Sequence, residues 1–337
     1  MRRWTTALAL ALTAAGLAAC SDGAGGGSKT LVVYSGRSES LVGPLLADFE
    51  KASGIDLEVR YAGSAELAAQ ILEEGDNSPA DVFLSQDAGA LGALAKEGRL
   101  GGLAQAQLDK VSSRYRAEDG TWVGVTGRVR VVAYNPAKVA AKDLPASVFE
   151  LAQPVWKDRI GIAPTNASFQ SFVTGMRVLA GEERTTSWLR SLVANKPKEY
   201  ESNDLVLDAV QKGDVAVGLI NHYYWYEKAA EIGRDKMTAR VHFLPAADPG
   251  ALVNVSGVGV LKDSGRTASA AALVDFLLGT KAQQYFTDQV FEYALVTGVA
   301  PTPGLPPLTQ VPGPPIDLSD LSSLSRTLEL LAETGLT

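Results

Sequence analysis

The sequence predicts an α/β fold of two lobes joined by two hinge strands. Three observations carry that expectation. Short β-branched apolar runs alternate with segments of helical period along most of the chain. Two extended stretches, 121–136 and 252–261, interrupt the alternation and suit a chain that leaves one lobe and later returns. The 337 residues, 46% hydrophobic and 20% charged, suffice for two domains of ordinary globular composition.

The elements follow in order. The run "TLVVYSG" (30–36) is a buried strand, and 40–54 is a helix with Leu41, Leu45, Leu46 and Phe49 on one face and a glycine stop. Residues 55–61 alternate as a strand. A helix over 64–75 begins in a capping pattern at Ser64, with Glu66 in its first turn. Strand 80–85 and helix 88–98 complete a first set of parallel units. After the long strand ending in Asn-Pro, the spacing predicts strand 159–163, helices 168–181, 185–195 and 204–213, strand 215–220 and helix 223–233. Beyond 252–261 come helices near 266–279 and 281–290, a proline-rich stretch (301–315) and an amphipathic helix near 317–334. With crossings near 127–133 and 252–258, the first lobe is expected to hold 30–128 and 255–300. The second is expected to hold 129–254 and 301–337.

The first residues set the expected compartment. "MRRW" is a positive n-region, and 7–19 is an apolar run too short to span a bilayer as a mature helix. It ends in "LAAC", which resembles the lipobox of bacterial lipoproteins, so 1–19 reads as a signal peptide and Cys20 as the lipidated residue. Cys20 is the only cysteine, which rules out an internal disulfide or a thiolate cluster. The Gly/Ser-rich 20–29 reads as a flexible tether to the outer face of a membrane.

Net charge is −7 and argues against a nucleic-acid-binding role, which calls for a basic face. Neither G-x-S-x-G nor H-E-x-x-H occurs, and two histidines leave little material for acid–base catalysis. An exported enzyme is therefore disfavoured against a binding protein.

The cleft of such a fold lies at strand ends and helix N-termini, which favour anions. The loops there are "YSGRSES", "SQDAG", "APTNASFQS", "ESND" and "NHYYW". In the last, Tyr223 and Tyr224 start a helix after a buried strand. Phenolate is a hard oxygen donor suited to a hard trivalent cation, although the pair can equally pack in the core or stack on an organic ligand. Arg37 can clamp a carbonate or phosphate bidentately. Arg128 can do the same or hold the hinge in a salt bridge. Glu39 is a candidate carboxylate ligand and equally an ordinary acid in a first helical turn. Tyr34, Tyr134 and Tyr226 read as packing residues, His222 as surface-facing and His242 as structural.

The segments "YSGRSESLVGPLLADFEKASGI", "SAELAAQILEEGDNSPADVF", "ESNDLVLDAVQKGDVAVGLINHYYW" and "VTGVAPTPGLPPL" resemble the ferric-iron-binding periplasmic proteins of ABC transporters. The likeness runs from about residue 30 to near the C-terminus, and N-x-Y-Y-W is its most specific part. It implies a type II-like periplasmic-binding-protein fold and Fe(III) ligation by Tyr223 and Tyr224. It also implies a synergistic carbonate or phosphate held by Asn166, Ala167, Ser168, Asn203 and Asn221. The implied partners are a permease and its ATPase, with the chain expected as a monomer. The sequence departs from the pattern at Ser38, where many members have histidine, at Gln86, where many have glutamate, and at Ser168 and Glu39, where tyrosine-rich members add tyrosines. The same fold also takes organic cations, phosphonates and other anions, so another small solute is the competing expectation.

Overall fold

The computed structural model describes residues 30–336, so the leader, Cys20 and the tether lie outside the described residues. The elements run β1 (Leu31–Ser35), α1 (Glu39–Ser53), β2 (Leu57–Tyr61), α2 (Ser64–Glu74), β3 (Val82–Ser85), α3 (Ala88–Lys96), α4 (Gln105–Leu108) and β4 (Trp122–Tyr134). They continue β5 (Ile160–Ile162), α5 (Ala167–Ala180), α6 (Glu182–Ala194), β6 (Lys198–Glu199), α7 (Asn203–Lys212), β7 (Val217–Asn221), α8 (His222–Ile232) and β8 (Arg240–His242). Then come β9 (Val253–Val260), α9 (Thr267–Leu277), α10 (Thr280–Gln289), β10 (Tyr293–Ala294) and α11 (Leu324–Thr334).

The strands lie in the order β2-β1-β3-β9-β4-β7-β5-β6, with β8 and β10 also on β4. One strand organises the whole. Trp122–Val129 of β4 pair antiparallel with β9, and Arg130–Tyr134 pair antiparallel with β7. β4 therefore belongs to two half-sheets, and the change of partner falls between Val129 and Arg130. At the same point the Arg130 N–H donates to the Leu252 carbonyl, one residue before β9 begins. β4 is buried along nearly its full length, which explains why its sequence alternates only in part.

Two apolar clusters fill the halves. The larger joins β1, β3, β9 and α1–α3 to α7 and α8 under the second half-sheet. The smaller lies on the opposite face, where Phe169, Phe172, Trp188 and Leu189 of α5 and α6 meet Leu330 and Leu331 of α11. Burying each such side chain contributes roughly 1.5–3 kcal/mol, so both faces of the second half-sheet are held firmly. That rigidity fixes the ends of β5 and β7, where the candidate site begins.

The structure alters three expectations. Residues 317–334 are not one helix: a 3₁₀ turn, Leu318–Ser322, precedes α11. That turn lies on α3, where a Cβ at Gly92 would strike the Ser319 carbonyl and one at Gly89 the Leu321 carbonyl. The turn thus packs on α3 while α11 packs on α5 and α6, because two glycines in α3 let backbone approach where side chains would forbid it. Second, the cap of α2 is Gly63, and the Ser64 hydroxyl instead accepts the Gln86 N–H at 2.9 Å. Third, His222 is not surface-facing. It is fully buried, for reasons given below. Among the described residues no helix is long and apolar enough to cross a membrane.

Candidate metal and anion site

The buried run of β7 ends at Asn221, which occupies the N-cap of α8 but makes no side-chain cap bond. Tyr223 and Tyr224 follow at once. Their rings stack, with centroids 4.2 Å apart and planes 29° from parallel. Successive helical residues diverge by about 100°, so the stacking brings together two phenols that helical geometry alone would spread apart. Burial, and then the neighbouring Tyr224, hold the Tyr223 phenol well above its ordinary range. Burial also raises Tyr224, against hydrogen bonds from Tyr223 and Asn203 that favour its ionised form. Both phenols are thus neutral near pH 7 until something replaces their protons.

Cationic groups converge on the pair. Arg37, on the loop after β1, is 3% exposed and pairs with the buried Glu292 at 2.9 Å. Burial alone would lower the Arg37 guanidinium, but Glu292 and the two phenols carry it above its usual value. Burial opposes ionisation of Glu292, yet Arg37 and Arg128 hold its carboxyl below the ordinary range, and Thr126 donates to it. Arg128 and Arg130, two residues apart on β4, project to one face of the strand. The expected salt bridge at Arg128 is not what the structure shows. Its guanidinium donates to the Gln86 carbonyl. Arg130 donates to the Leu219 carbonyl at 2.8 Å and to Ser168 Oγ at 3.3 Å, and lies over the Phe172 ring. Burial pushes its guanidinium down to about 9, still cationic at neutral pH. The Nε atoms of Arg37, Arg128 and Arg130 are buried without a hydrogen-bond partner.

The loop before α5 supplies a polar web. Asn166 caps α5, and its Oδ1 accepts from the Ser168 N–H (3.0 Å), the Ser168 hydroxyl (2.7 Å) and the Asn203 amide (3.0 Å). Asn203 Nδ2 also donates to Ser168 Oγ at 2.9 Å, while Asn203 Oδ1 is buried and unpartnered. Ala167 opens α5. Ser168, Arg130, Arg128, Asn221, Gln86 and Asp87 line a cavity of about 20 Å³ between the half-sheets, room for about one water. Three buried guanidiniums meet one buried carboxylate, with the partly buried Asp87 and Glu227 close by, so positive charge is in excess among the fully buried groups. An uncompensated buried charge is expensive, so the site is built to receive negative charge.

The structure does not bring every expected residue here. Glu39 is exposed and leans along α1 toward Gly43 and Tyr61. His222 is buried beneath the tyrosines. Its Nδ1 accepts the Val129 N–H at 3.1 Å, so Nε2 carries the proton and faces the Phe291 carbonyl at 3.0 Å. Its N1 position in α8 turns it against β4, and burial pushes its imidazolium down to about 4. Tyr34 and Tyr226 are buried packing residues, and His242 bonds the Pro145 carbonyl from β8. Sequence reasoning missed Arg130 and Glu292. The first had a signal, since Arg-Val-Arg places two cations on one face of an apolar strand. The second had none, since nothing near Glu292 marks it as facing Arg37.

Among the described residues no group of three His, Cys, Asp or Glu can hold a metal ion. Phenolate oxygen is a hard donor suited to a hard cation.

Residues 77–309 match the family described as bacterial extracellular solute-binding proteins. The chain belongs to that family. It is 36% identical over 307 residues to an Fe(3+)-binding periplasmic protein of Serratia marcescens, covering 91% of this chain and 90% of that one. It is 34% identical over 333 residues to the major ferric iron-binding protein of Neisseria meningitidis, covering 98% and 99%. Iron-bound HitA from Pseudomonas aeruginosa superposes with a TM-score of 0.84 at 36% identity, covering 91% of this chain and 99% of HitA. The architecture is the bilobal fold of these periplasmic iron-binding proteins, and the family consists of binding proteins rather than enzymes.

Proposed function

We propose that this solute-binding protein captures ferric iron between its lobes, with Tyr223 and Tyr224 as phenolate ligands and a carbonate or phosphate as synergistic anion, and delivers it to an ABC permease driven by an ATPase. The observation that carries the reading is the stacked phenol pair set against an excess of buried guanidinium charge. Neutral, desolvated phenols resist ionisation, so only a strongly polarising cation displaces their protons. The guanidiniums then stabilise the phenolates and the anion. Arg37 reaches the pair from the first lobe. Arg130, Ser168, Asn166, Asn203 and Asn221 form the anion's polar surroundings from the second. The ferric relatives support the same cargo.

Closure in this reading is a hinge motion about the change of partner at Val129–Arg130 and the return at Leu252–Val253. The domains divide there. Cys20 carries the lipid anchor, the protein acts as a monomer outside the cytoplasm, and it turns over no substrate. Titrating the purified protein with ferric citrate tests the core of the proposal. A visible phenolate-to-iron charge-transfer band is expected at about one iron per chain, and an anaerobic ferrous titration should give none. A protein that stays colourless and retains no iron against a chelator sinks it.

A further inference from the structure

One acid beside the phenols has no partner in the fold. Glu227 lies one helical turn beyond Tyr223 and Tyr224 on α8, at i+4 and i+3, so it shares their face. Helical Cα–Cβ bonds tilt toward the N-terminus, which leans Glu227 back toward the two tyrosines. With Tyr224 it lines a cavity of about 380 Å³ between α7 and α8, ample for a metal ion. The other acids there are engaged. Asp208 and Glu231 both pair with Lys228, at 3.2 and 3.5 Å. Asp204 sits in the first turn of α7, where its carboxyl accepts its own backbone N–H. Outside the cavity, Glu292 is committed to Arg37 and Thr126. Among the described residues Glu227 makes no hydrogen bond or ion pair. Burial, then Asp204 and Glu292, push its carboxyl up to about 7, against the pull of Arg37. The same charged groups act on the phenols, so Glu227 faces the cleft they face.

We propose that Glu227 is the third protein ligand of the ferric ion, a carboxylate oxygen that completes a set with the two phenolates. This deepens the ferric reading and rests on it. Carboxylate, like phenolate, is a hard oxygen donor. Two phenolates and one carboxylate carry three negative charges and match a trivalent ion. The phenolates alone would leave one positive charge uncompensated among guanidiniums, at the cost of an unpaired buried charge. On loading, each phenol releases its proton to solvent, as does any carboxyl still protonated. Iron–oxygen bonds replace O–H bonds with no change of oxidation state. The ligand that the first loop lacks at Ser38 is thereby supplied by the helix that carries the tyrosines.

The test titrates the purified protein and its variants with ferric citrate at neutral pH, reads the visible band, and measures retention against a hydroxamate chelator. Glu227→Gln keeps the size and removes the anionic donor. It should hold iron at least about a hundredfold more weakly, since loss of a ligand exceeds the roughly 10–100-fold typical of outer-shell changes. Its phenolate-to-iron band should move to longer wavelength, because an iron with one fewer anionic donor is more electron-poor and accepts charge at lower energy. Glu227→Asp keeps the donor and should recover part of both losses. Melting of the unloaded proteins checks folding: Glu227→Gln removes a half-buried acid and should melt no lower than the wild type. Retention by Glu227→Gln within about threefold of wild type, or weaker retention with the band unmoved, takes the carboxylate off the metal and overturns the inference while the ferric reading stands. A wild type that itself stays colourless overturns the ferric reading as well, a failure independent of residue 227.

Discussion

Two strand-to-helix junctions face each other across the cleft, and they behave differently. β7 runs into α8 and places Tyr223 and Tyr224 in the first helical turn, stacked on each other. β1 runs into α1 through Arg37 and Glu39, yet only Arg37 turns inward while Glu39 points along the helix surface. The local device is the same at both junctions. The difference lies in what waits on the far side. Arg37 is drawn in by Glu292, over 250 residues away in the chain, and Glu39 has no inward partner. A junction positions a side chain near the cleft, but a distant counter-charge decides whether the side chain enters it.

The largest expected effect is at the tyrosine junction. Tyr223→Phe with Tyr224→Phe should lower ferric affinity by more than about a thousandfold, and each single change by roughly a hundredfold, since ligand loss exceeds the 10–100-fold typical of outer-shell changes. Phenylalanine keeps the packing, so melting temperature should move little. Chelator competition measures the affinity. A double variant within tenfold of wild type would remove the tyrosines from the metal and break the contrast between the junctions.

The arginine junction should show its effect in stability. Glu292→Gln leaves Arg37 buried without its counter-charge and should destabilise the fold by about 3–5 kcal/mol at pH 7 in urea unfolding. The folded Glu292 carboxyl is held below its ordinary 4.5 by Arg37 and Arg128, against burial. That contribution is present above the unfolded value and is lost as pH falls through the folded one. The gap between wild type and variant should therefore narrow below about pH 4.5. A gap independent of pH would mean that packing, not charge, holds the pair.

His222 sharpens the comparison from beneath the tyrosines. It is buried neutral, with its ionisation pushed from 6.5 to about 4. A depressed value contributes stability that is present above 6.5 and lost as pH falls toward 4, roughly 3 kcal/mol in all. His222→Phe removes the acceptor for Val129, so it should lower stability at pH 7 by about 1–3 kcal/mol and flatten the profile between pH 6.5 and 4. An unchanged slope in the variant would assign that acid sensitivity to other groups.

These cases show what was readable in the chain. The alternation of apolar runs and helical stripes placed most elements within a few residues, because burial of one face is a local pattern. "VAVGLI" before "NHYYW" announced a strand end carrying phenols. His222 misled because helical position alone does not say which neighbour covers a side chain, and β4 covers this one. Glu292 was silent because its meaning comes entirely from Arg37, Arg128 and Thr126, which no spacing in the sequence brings beside it. The seat of Leu318–Ser322 on α3 depended on Gly89 and Gly92 in that distant helix.

Glu39 provides the smallest expected effect and the closest test of the contrast. As a carboxylate ligand it would carry a large share of the binding of a trivalent ion, and Glu39→Gln would weaken iron retention at least about a hundredfold. The structure places it on the exposed first turn of α1, beside Tyr61, where an acid is favoured by the helix dipole alone. Losing that interaction costs about 0.3–1 kcal/mol, so Glu39→Gln should change ferric affinity less than about threefold and stability only slightly. Chelator competition on the single variant decides between the two. A large loss would mean that lobe closure swings the start of α1 inward on loading. The two junctions would then differ only in the unloaded state, with Glu39 recruited by the metal much as Arg37 is already recruited by Glu292.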